Sequence, residues 1–410
     1  MSDERFAVMR EILAAPSPIG LEAAMTRGVL QPLLEKFMQP GWVIHSFKGN
    51  AGIVLDTAPD KTDAFSVMLI GHADKIRLQV RSIGEDGKIW VNSDSMLPAT
   101  LLGHKVVLYS ENRDSDNGAQ DSSERATWRA LRGGTIEALG AIHFADPKLR
   151  TGEQGIKPDM LYLELHIHGD KKKEQVEALG IRAGDPIIFD RPIERGFAPN
   201  TFTGAYLDNG LGCFVAAEVA RLLAESGGLK HVRFLGAMAS HEEIGRFGSR
   251  VLAEQFRPDV TIAVDVAHDF VAAPGVSDRR YEPIEMGKGF TLTHGAVCSA
   301  SLNTMIAAVS RAQGIPFQDE VAGRDTGTDA MAAVLASIDS AAASIGIPIR
   351  NMHTISESGH TSDVDAAIYS MFHLLKHMDE QNAGQGIQAV SLRSGHPRLD
   401  NSAPLKHRPV

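Results

Sequence analysis

Residues 231–250 read HVRFLGAMASHEEIGRFGSR, and this stretch limits the possible folds more than any other. Val232 to Ala239 is a short apolar run, which suits a strand covered on both faces. A tight turn and a helix start follow, with Gly245 and Gly248 giving the turn its freedom. Glu242 and Glu243 stand at the end of the buried run. Two adjacent carboxylates there are costly unless something cationic receives them. Their side chains leave the backbone in different directions, so one can bind a metal while the other faces a water. Taken alone, the stretch reads more simply as the acidic first turn of a solvated helix. The rest of the chain reverses that preference.

Along the chain, residues 4–14 and 20–37 carry helical apolar spacing. Phe65 to Ile70 predicts a strand that runs into Gly71-His72-Ala73-Asp74. In an open α/β sheet ligands bind beyond the carboxyl ends of strands. Residues i and i+2 of an extended segment share a face, so Asp74 is placed to meet the His72 ring. Between 76 and 195 the texture changes to short β-type runs separated by polar turns, which predicts a small barrel or sandwich. Residues 111–127 are polar and read as a loop. His166 and His168 share a face of a strand pattern, and ordinary strand positions fit them better than metal ligation. The α/β texture resumes near 196 with Asp208-Asn209-Gly210 and a helix from 211. Val260 to Val264 predicts another buried strand, ending in Asp265, and Ile345 to Ile349 a last one, followed by His353. Gly287-Lys288-Gly289 reads as a turn and not a phosphate loop, since no Walker spacing surrounds it. A helix over 363–380 precedes a tail, 382–410, without a clear period.

Composition narrows the class. The 410 residues carry 41 basic and 51 acidic side chains, a net charge of -10 that argues against nucleic acid as a partner. No run approaches the ~18 apolar residues that a membrane span needs, and two cysteines make no disulfide framework. A cytoplasmic protein is the expectation.

Four strands of the α/β part thus lead to His72, Asp208, Asp265 and His353, and the central one to Glu242-Glu243. If one parallel sheet gathers these ends, one cleft holds two histidines, two aspartates and two glutamates. That supply suits a pair of zinc-like ions with a bridging carboxylate. A spare glutamate would take a proton from water and pass it to a leaving amine.

The chain resembles metallopeptidase family 42, the tetrahedral and glutamyl aminopeptidases that include proteins long labelled cellulase M. The likeness covers roughly residues 5–380. It rests on GHAD at 71–74, LLGHKVV at 101–107, GIRAGDPIIF at 180–189, LDNGLG at 207–212 and HEEIGRFG at 241–248, and on AVDV at 263–266, GKG at 287–289, GTDA at 327–330 and IRNMHTISE at 349–357. The resemblance implies a mixed-sheet, zinc-peptidase-like α/β catalytic domain over 1–75 and 196–381, with an inserted small β-barrel over 76–195 that mediates dimer contacts. It implies that His72 and Asp265 bind one metal, that Glu243 and His353 bind another, and that Asp208 bridges them. Glu242 would then be the general base and acid, and Asp74 would orient His72. Two divalent ions per subunit are implied, with zinc or cobalt foremost and manganese compatible. So are short peptide substrates and self-association into dimers and a dodecamer. Lys75 and Arg77 stand where the family has an acid and a glycine, and Gly210 where it has a basic residue. The positive pair would either favour acidic substrates or lie in an interface.

Other classes fit less well. An amidohydrolase for one small amide or dipeptide would use the same site. A glycosidase needs two carboxylates about 5–9.5 Å apart across a sugar, and would leave the histidines without a task. A non-catalytic assembly protein would have lost a ligand, and none is lost.

Overall fold

The computed structural model describes residues 1–93, 95–112, 127–276, 280–337 and 340–383. Most of the polar 111–127 stretch and of the 382–410 tail lies outside them. The chain divides into two units. One comprises Met1–Lys75, Ile193–Met352 and the chain from Glu357; the other comprises Ile76–Pro192 and His353–Ser356.

The first unit opens with helix α1 (Asp3–Ala14), whose N-terminus is capped by the Ser2 hydroxyl accepting the Arg5 N–H. Short helical pieces over 23–35 lead to β1 (Val43–Ser46), β2 (Gly52–Asp56) and β3 (Phe65–His72). The second unit then supplies β4 (Leu78–Ile83), β5 (Ile89–Ser93), β6 (Lys105–Asn112), β7 (Thr127–Glu137), β8 (Tyr162–Glu164) and β9 (Pro186–Phe189). These close into a six-stranded antiparallel barrel in the order β4-β5-β8-β7-β6-β9. The barrel interior takes Leu78, Val80, Ile89, Val91, Leu108 and Ile187, all buried. Strand β8 is shorter than its apolar run suggests. His166 and His168 lie beyond it, exposed, with His166 at a φ of +59°, so they share no strand face and no metal position.

The chain returns to the first unit through β10 (Glu194–Arg195), β11 (Thr201–Gly204) and helix α2 (Leu207–Glu225). Next come β12 (Val232–Ala239), α3 (Phe247–Phe256), β13 (Val260–His268), β14 (Phe290–His294) and α4 (Ala300–Ala312). The unit finishes with β15 (Phe317–Val321), α5 (Asp329–Ser337), β16 (Ala341–Ile349), β17 (Glu357–His360) and α6 (Thr361–Asn382). Eight strands form one mixed sheet in the order β1-β2-β12-β3-β13-β16-β14-β15, with β12, β3, β13 and β16 mutually parallel. The α/β class with an inserted small barrel is thus the expected one. The central strands are apolar throughout because both faces are covered. Along β3, Phe65, Val67 and Leu69 point to a core shared with Phe214 of α2 and Leu374 of α6. The alternate residues Met68 and Ile70 point to a second core with Leu252 of α3 and Ala333 of α5. Among the described residues no helix is long and apolar enough to cross a membrane.

Strands β14 and β15 are not legible in the sequence for a physical reason. They hold Thr291, Thr293, Asp319 and Glu320 among few apolar residues. The polar atoms satisfy each other: Glu320 Oε2 accepts from the Thr291 and Thr293 hydroxyls at 2.9 and 3.1 Å.

A buried ion pair ties β2 to β12. Arg233 donates Nε and Nη2 to the two oxygens of Asp56 at 3.0 and 2.6 Å. Burial alone would raise the Asp56 pKa, but the guanidinium outweighs it and holds the carboxyl below its ordinary value. A depressed carboxylate stabilises the fold above its unfolded pKa of about 4, and that contribution is lost as pH falls through the folded value. Asp56→Ala strands a buried guanidinium and is expected to cost about 3–5 kcal/mol at pH 7. Urea unfolding of both proteins across pH should show the difference shrinking below about pH 4.

Candidate active site

The site is assembled by three local devices. The first is the turn after β12. His241 adopts a φ of +59° and Gly245 a φ of +138°, so the chain reverses within a few residues. The Gly245 and Arg246 N–H groups both donate to the Glu242 carbonyl, at 3.0 and 2.9 Å. Gly248 is required for a different reason: a Cβ there would lie 2.2 Å from the Ser240 carbonyl oxygen.

The second device is Asp74, fully buried just past β3. Its two oxygens accept the backbone N–H groups of Glu242 and Glu243, each at 3.0 Å. Oδ1 also faces His72 Nδ1 at 3.4 Å. One carboxylate therefore sets both the imidazole orientation and the place of the two glutamates.

The third device brings in Asp208. It does not follow a strand of the large sheet, because β11 belongs to a separate three-stranded sheet with β10 and β17. Asp208 sits instead in the first turn of α2, where Asp208 and Asn209 leave helical geometry. Asn209 fixes this kink by donating to the Val264 carbonyl at 2.8 Å and accepting the Gly212 N–H at 2.7 Å. Glu357 accepts the Leu207 N–H at 2.6 Å. Two glycines let the helix start press between strands: a Cβ on Gly71 would lie 2.3 Å from the Gly212 carbonyl carbon, and one on Gly212 would lie 2.4 Å from the Val264 oxygen.

The result is a convergence on His72 Nε2. Asp208 Oδ1 lies 3.1 Å away, and Glu242 Oε2 and Asp265 Oδ1 each 3.8 Å. His72, Asp208 and Asp265 offer ligand atoms within 4.8 Å of one another, and Asp208 and Glu243 do the same as a pair. Asp265 stands inside β13, three residues before its end, and not just past it. His353, four residues beyond β16, adopts a φ of +61°.

Charge in this place is under strain. Burial raises Glu242 to about 7, with Asp329 and Asp208 raising it further and His72 opposing. Burial and then Asp208 push Glu243 well above the ordinary carboxylate range, and one of its oxygens is fully buried. Burial raises Asp265 in the same way, with Asp208 and Glu242 adding to it. His72 is buried, which disfavours its cation, yet Asp208 and Asp74 push its pKa well above the usual value. A crowd of carboxylates that raise one another's pKa is the environment that divalent cations relieve. Imidazole nitrogen with carboxylate oxygens is a donor set that zinc, cobalt or manganese accepts. The residues present fit such ions.

Several surrounding residues carry signals that spacing alone understated. Arg246, four residues after Glu242, donates Nε to Glu242 Oε1 at 3.2 Å and pairs with Asp325 at 2.9 Å. Asp329 is buried behind the site and lifted to about 6, by burial first and then by Asp74. The Gly287-Lys288-Gly289 turn is no phosphate cradle: its Gly287 and Gly289 N–H groups already donate to Asp363, at 2.6 and 2.8 Å. Lys75 lines neither a substrate cleft nor an interface. It is wholly buried and donates Nζ to the Leu13 carbonyl at 2.6 Å and to the Ala15 carbonyl, and burial pushes its pKa down to about 7. Arg77 is half-buried in the other unit and donates to Gln79 at 3.1 Å. The two make no common positive surface.

Comparison with known proteins gives a consistent picture. Residues 122–369 match the sequence model of the M42 glutamyl aminopeptidases. A lysyl aminopeptidase of Pyrococcus furiosus is 29% identical over 371 residues, which cover 88% of this chain and 94% of that protein. The crystal structure of a TET aminopeptidase from a marine sediment Thaumarchaeota archaeon superposes with a TM-score of 0.79 at 21% identity, covering 95% of this chain and 99% of that one. The TET1 peptidase of Pyrococcus horikoshii, described as able to assemble into a tetrahedron or a large octahedral shell, gives 0.70 at 18% identity, covering 90% and 99%.

Asp74→Asn removes one of the two acceptor oxygens on which the Glu242–Glu243 turn and the His72 ring depend. Zinc affinity, measured by competition with a chromophoric chelator, should fall about 10–100-fold. Far-ultraviolet circular dichroism should be unchanged.

Proposed function

The chain belongs to the M42 glutamyl aminopeptidase family, and from that membership and the geometry of its carboxylate cluster we propose a dinuclear metal-dependent aminopeptidase that removes N-terminal residues from short peptides. The observation that carries this reading is the convergence of Asp208, Glu242 and Asp265 on one buried imidazole nitrogen, within 3.1–3.8 Å. In this reading His72 and Asp265 would hold one ion and Glu243 and His353 the other, with Asp208 shared between the two sets. Ions so held supply Lewis-acid polarisation of a water and of the scissile carbonyl. The family pattern carries His353 into the second set, and the proximity of Asp208 to Glu243 supports the place of Glu243 in it.

The chain's own residues do the rest. Asp74 keeps Nδ1 of His72 engaged, so that Nε2 is the nitrogen turned to the site. Glu242, whose Oε2 faces the cluster 3.8 Å from His72 Nε2, takes the proton of the attacking water and delivers it to the leaving amine. Arg246 steadies the Glu242 carboxylate from the side away from His72 Nε2, bonding Oε1 while Oε2 faces the ring. The dodecamer and the tetrahedral or octahedral shells described for TET1 peptidases support self-association of this chain into a large assembly.

The decisive assay uses short peptides with free and with acetylated N-termini. Cleavage of the free peptides alone, abolished by chelator and restored by zinc or cobalt, is expected. Glu242→Gln should lower kcat about 10²–10⁴-fold while the purified protein keeps its metal content by elemental analysis. Equal rates for Glu242→Gln and wild type would sink the proton-shuttle assignment. Inactivity on every free peptide would shift the substrate to a single small amide.

A further inference from the structure

Helix α6 carries a histidine pair that the proposed reaction does not use. His373 and His377 are four residues apart, and both line a groove of about 600 Å³ between α4 and α6. None of the carboxylate-cluster residues lines this groove. Residues at i and i+4 of a helix stand one above the other, with Cβ atoms ~5–6 Å apart. Two imidazoles at that spacing can close on one ion at metal–nitrogen distances of about 2.0–2.1 Å. The same spacing lets the paired histidines of an H-E-x-x-H helix share a zinc ion.

The surroundings suit a cation held by nitrogen. Both rings are half-buried, supported by the wall and open to the groove. Burial pushes the His373 pKa below the ordinary histidine value, so the ring is neutral at pH 7 and its lone pair is available. Nε2 of His377 lies 2.7 Å from the side-chain amide of Gln381, a neutral contact in the last turn of α6 that an ion would replace. On the opposite wall Ala308 and Ala312 stack on one face of α4, and their small side chains leave room for water ligands. Glu380, three residues after His377, shares its face of α6 and brings negative charge to the groove. Lys376 borders the groove too, but its Nζ reaches the Gly228 carbonyl at 3.5 Å, and Gly228 does not line it. The donors differ from those of the catalytic cluster, where one imidazole stands among several carboxylates. Imidazole pairs suit zinc, nickel and copper, and copper(II) binds such a site most tightly of the divalent series.

We propose that His373 and His377 form a metal site of their own in the α4–α6 groove, chelating one borderline divalent ion, copper(II) foremost, with Glu380 beside it. An ion there ties together successive turns of α6 shortly before the helix ends at Asn382. The proposal is independent of the peptidase reading. It is tested by copper(II) titration of the full-length protein, with bound metal read by equilibrium dialysis and elemental analysis. Wild type should bind one copper ion per chain more than the variant carrying both His373→Ala and His377→Ala. Electron paramagnetic resonance of that extra ion should show splitting from two imidazole nitrogens. Either single substitution should weaken it by at least the ~10-fold that loss of an outer partner costs a metal site, and the single variants read the same loss if the double variant does not fold. Asp265→Asn, which alters the carboxylate cluster, should leave the difference of one ion in place. Equal copper content in wild type and the histidine variants would overturn the proposal. An extra ion without nitrogen splitting, or one that disappears with Asp265→Asn, would overturn it as well.

Discussion

The carboxylate cluster of this protein hangs on what the Asp74 carboxylate accepts. Its two oxygens receive the N–H groups of Glu242 and Glu243, and one of them also faces His72 Nδ1. Those three residues come from the ends of two neighbouring strands, β3 and β12, whose parallel register pairs His72 with Ala239. Register brings the strand ends level, but it cannot choose which backbone amides point inward. Asp74 makes that choice, and without a charged acceptor two buried N–H groups would be left to water or to each other. Burial would raise its pKa, yet the His72 contacts hold it below the ordinary value. The pinning group is therefore charged, which makes its hydrogen bonds the stronger kind.

The same chemistry recurs around the site. Glu357 accepts the Leu207 N–H that starts the Asp208 kink, and Asp363 accepts from Gly287 and Gly289. In each case a buried carboxylate receives backbone amides that no sheet or helix partner can reach. The site is thus framed by carboxylates that act as acceptors and filled by carboxylates whose pKa values are driven upward. Asp74 is of the first kind and is held below its ordinary value, whereas burial raises Asp363 to about 6 in spite of the two amides it accepts. Glu242, Glu243 and Asp265 are of the second kind: burial raises all three, and Asp208 adds to each.

Much of this was legible in the sequence, and where it was not the reason is local. The apolar runs at 65–70, 232–239 and 260–264 announce strands covered on both faces, because no solvated strand tolerates so few polar residues. GHAD and HEEIGRFG announce side chains at strand ends, and both stretches lie in the cluster. Reading Asp208 as one more end of the parallel sheet was wrong in its route: it arrives on a kinked helix start wedged between β3 and β13. Only the glycines at 71 and 212 hint at that wedge, and a glycine signals close approach without saying to what. Strands β14 and β15 escaped notice because their polar residues satisfy one another in the folded state, which periodicity cannot register.

The departures from the family pattern at 75 and 210 explain each other. A lysine at the end of β3 reads as a surface charge, yet Lys75 is buried with its Nζ on the carbonyls of Leu13 and Ala15, at the last turn of α1. A helix C-terminus is the negative end of the helix dipole, so it receives a cation without any acidic side chain. For α1 to end there its side chains must have room, and Gly210 provides it: a Cβ on Gly210 would lie 2.7 Å from Leu13 Cγ. The absent side chain at 210 and the present cation at 75 are thus two sides of one packing solution, in which the N-terminal helix takes over as the counterpart of residue 75. The lysine ammonium, 5.0 Å over the Tyr206 ring, is sealed from solvent. A positive charge that substrate cannot reach cannot select substrate. Whatever side-chain preference this peptidase has must be written elsewhere in the wall of its site.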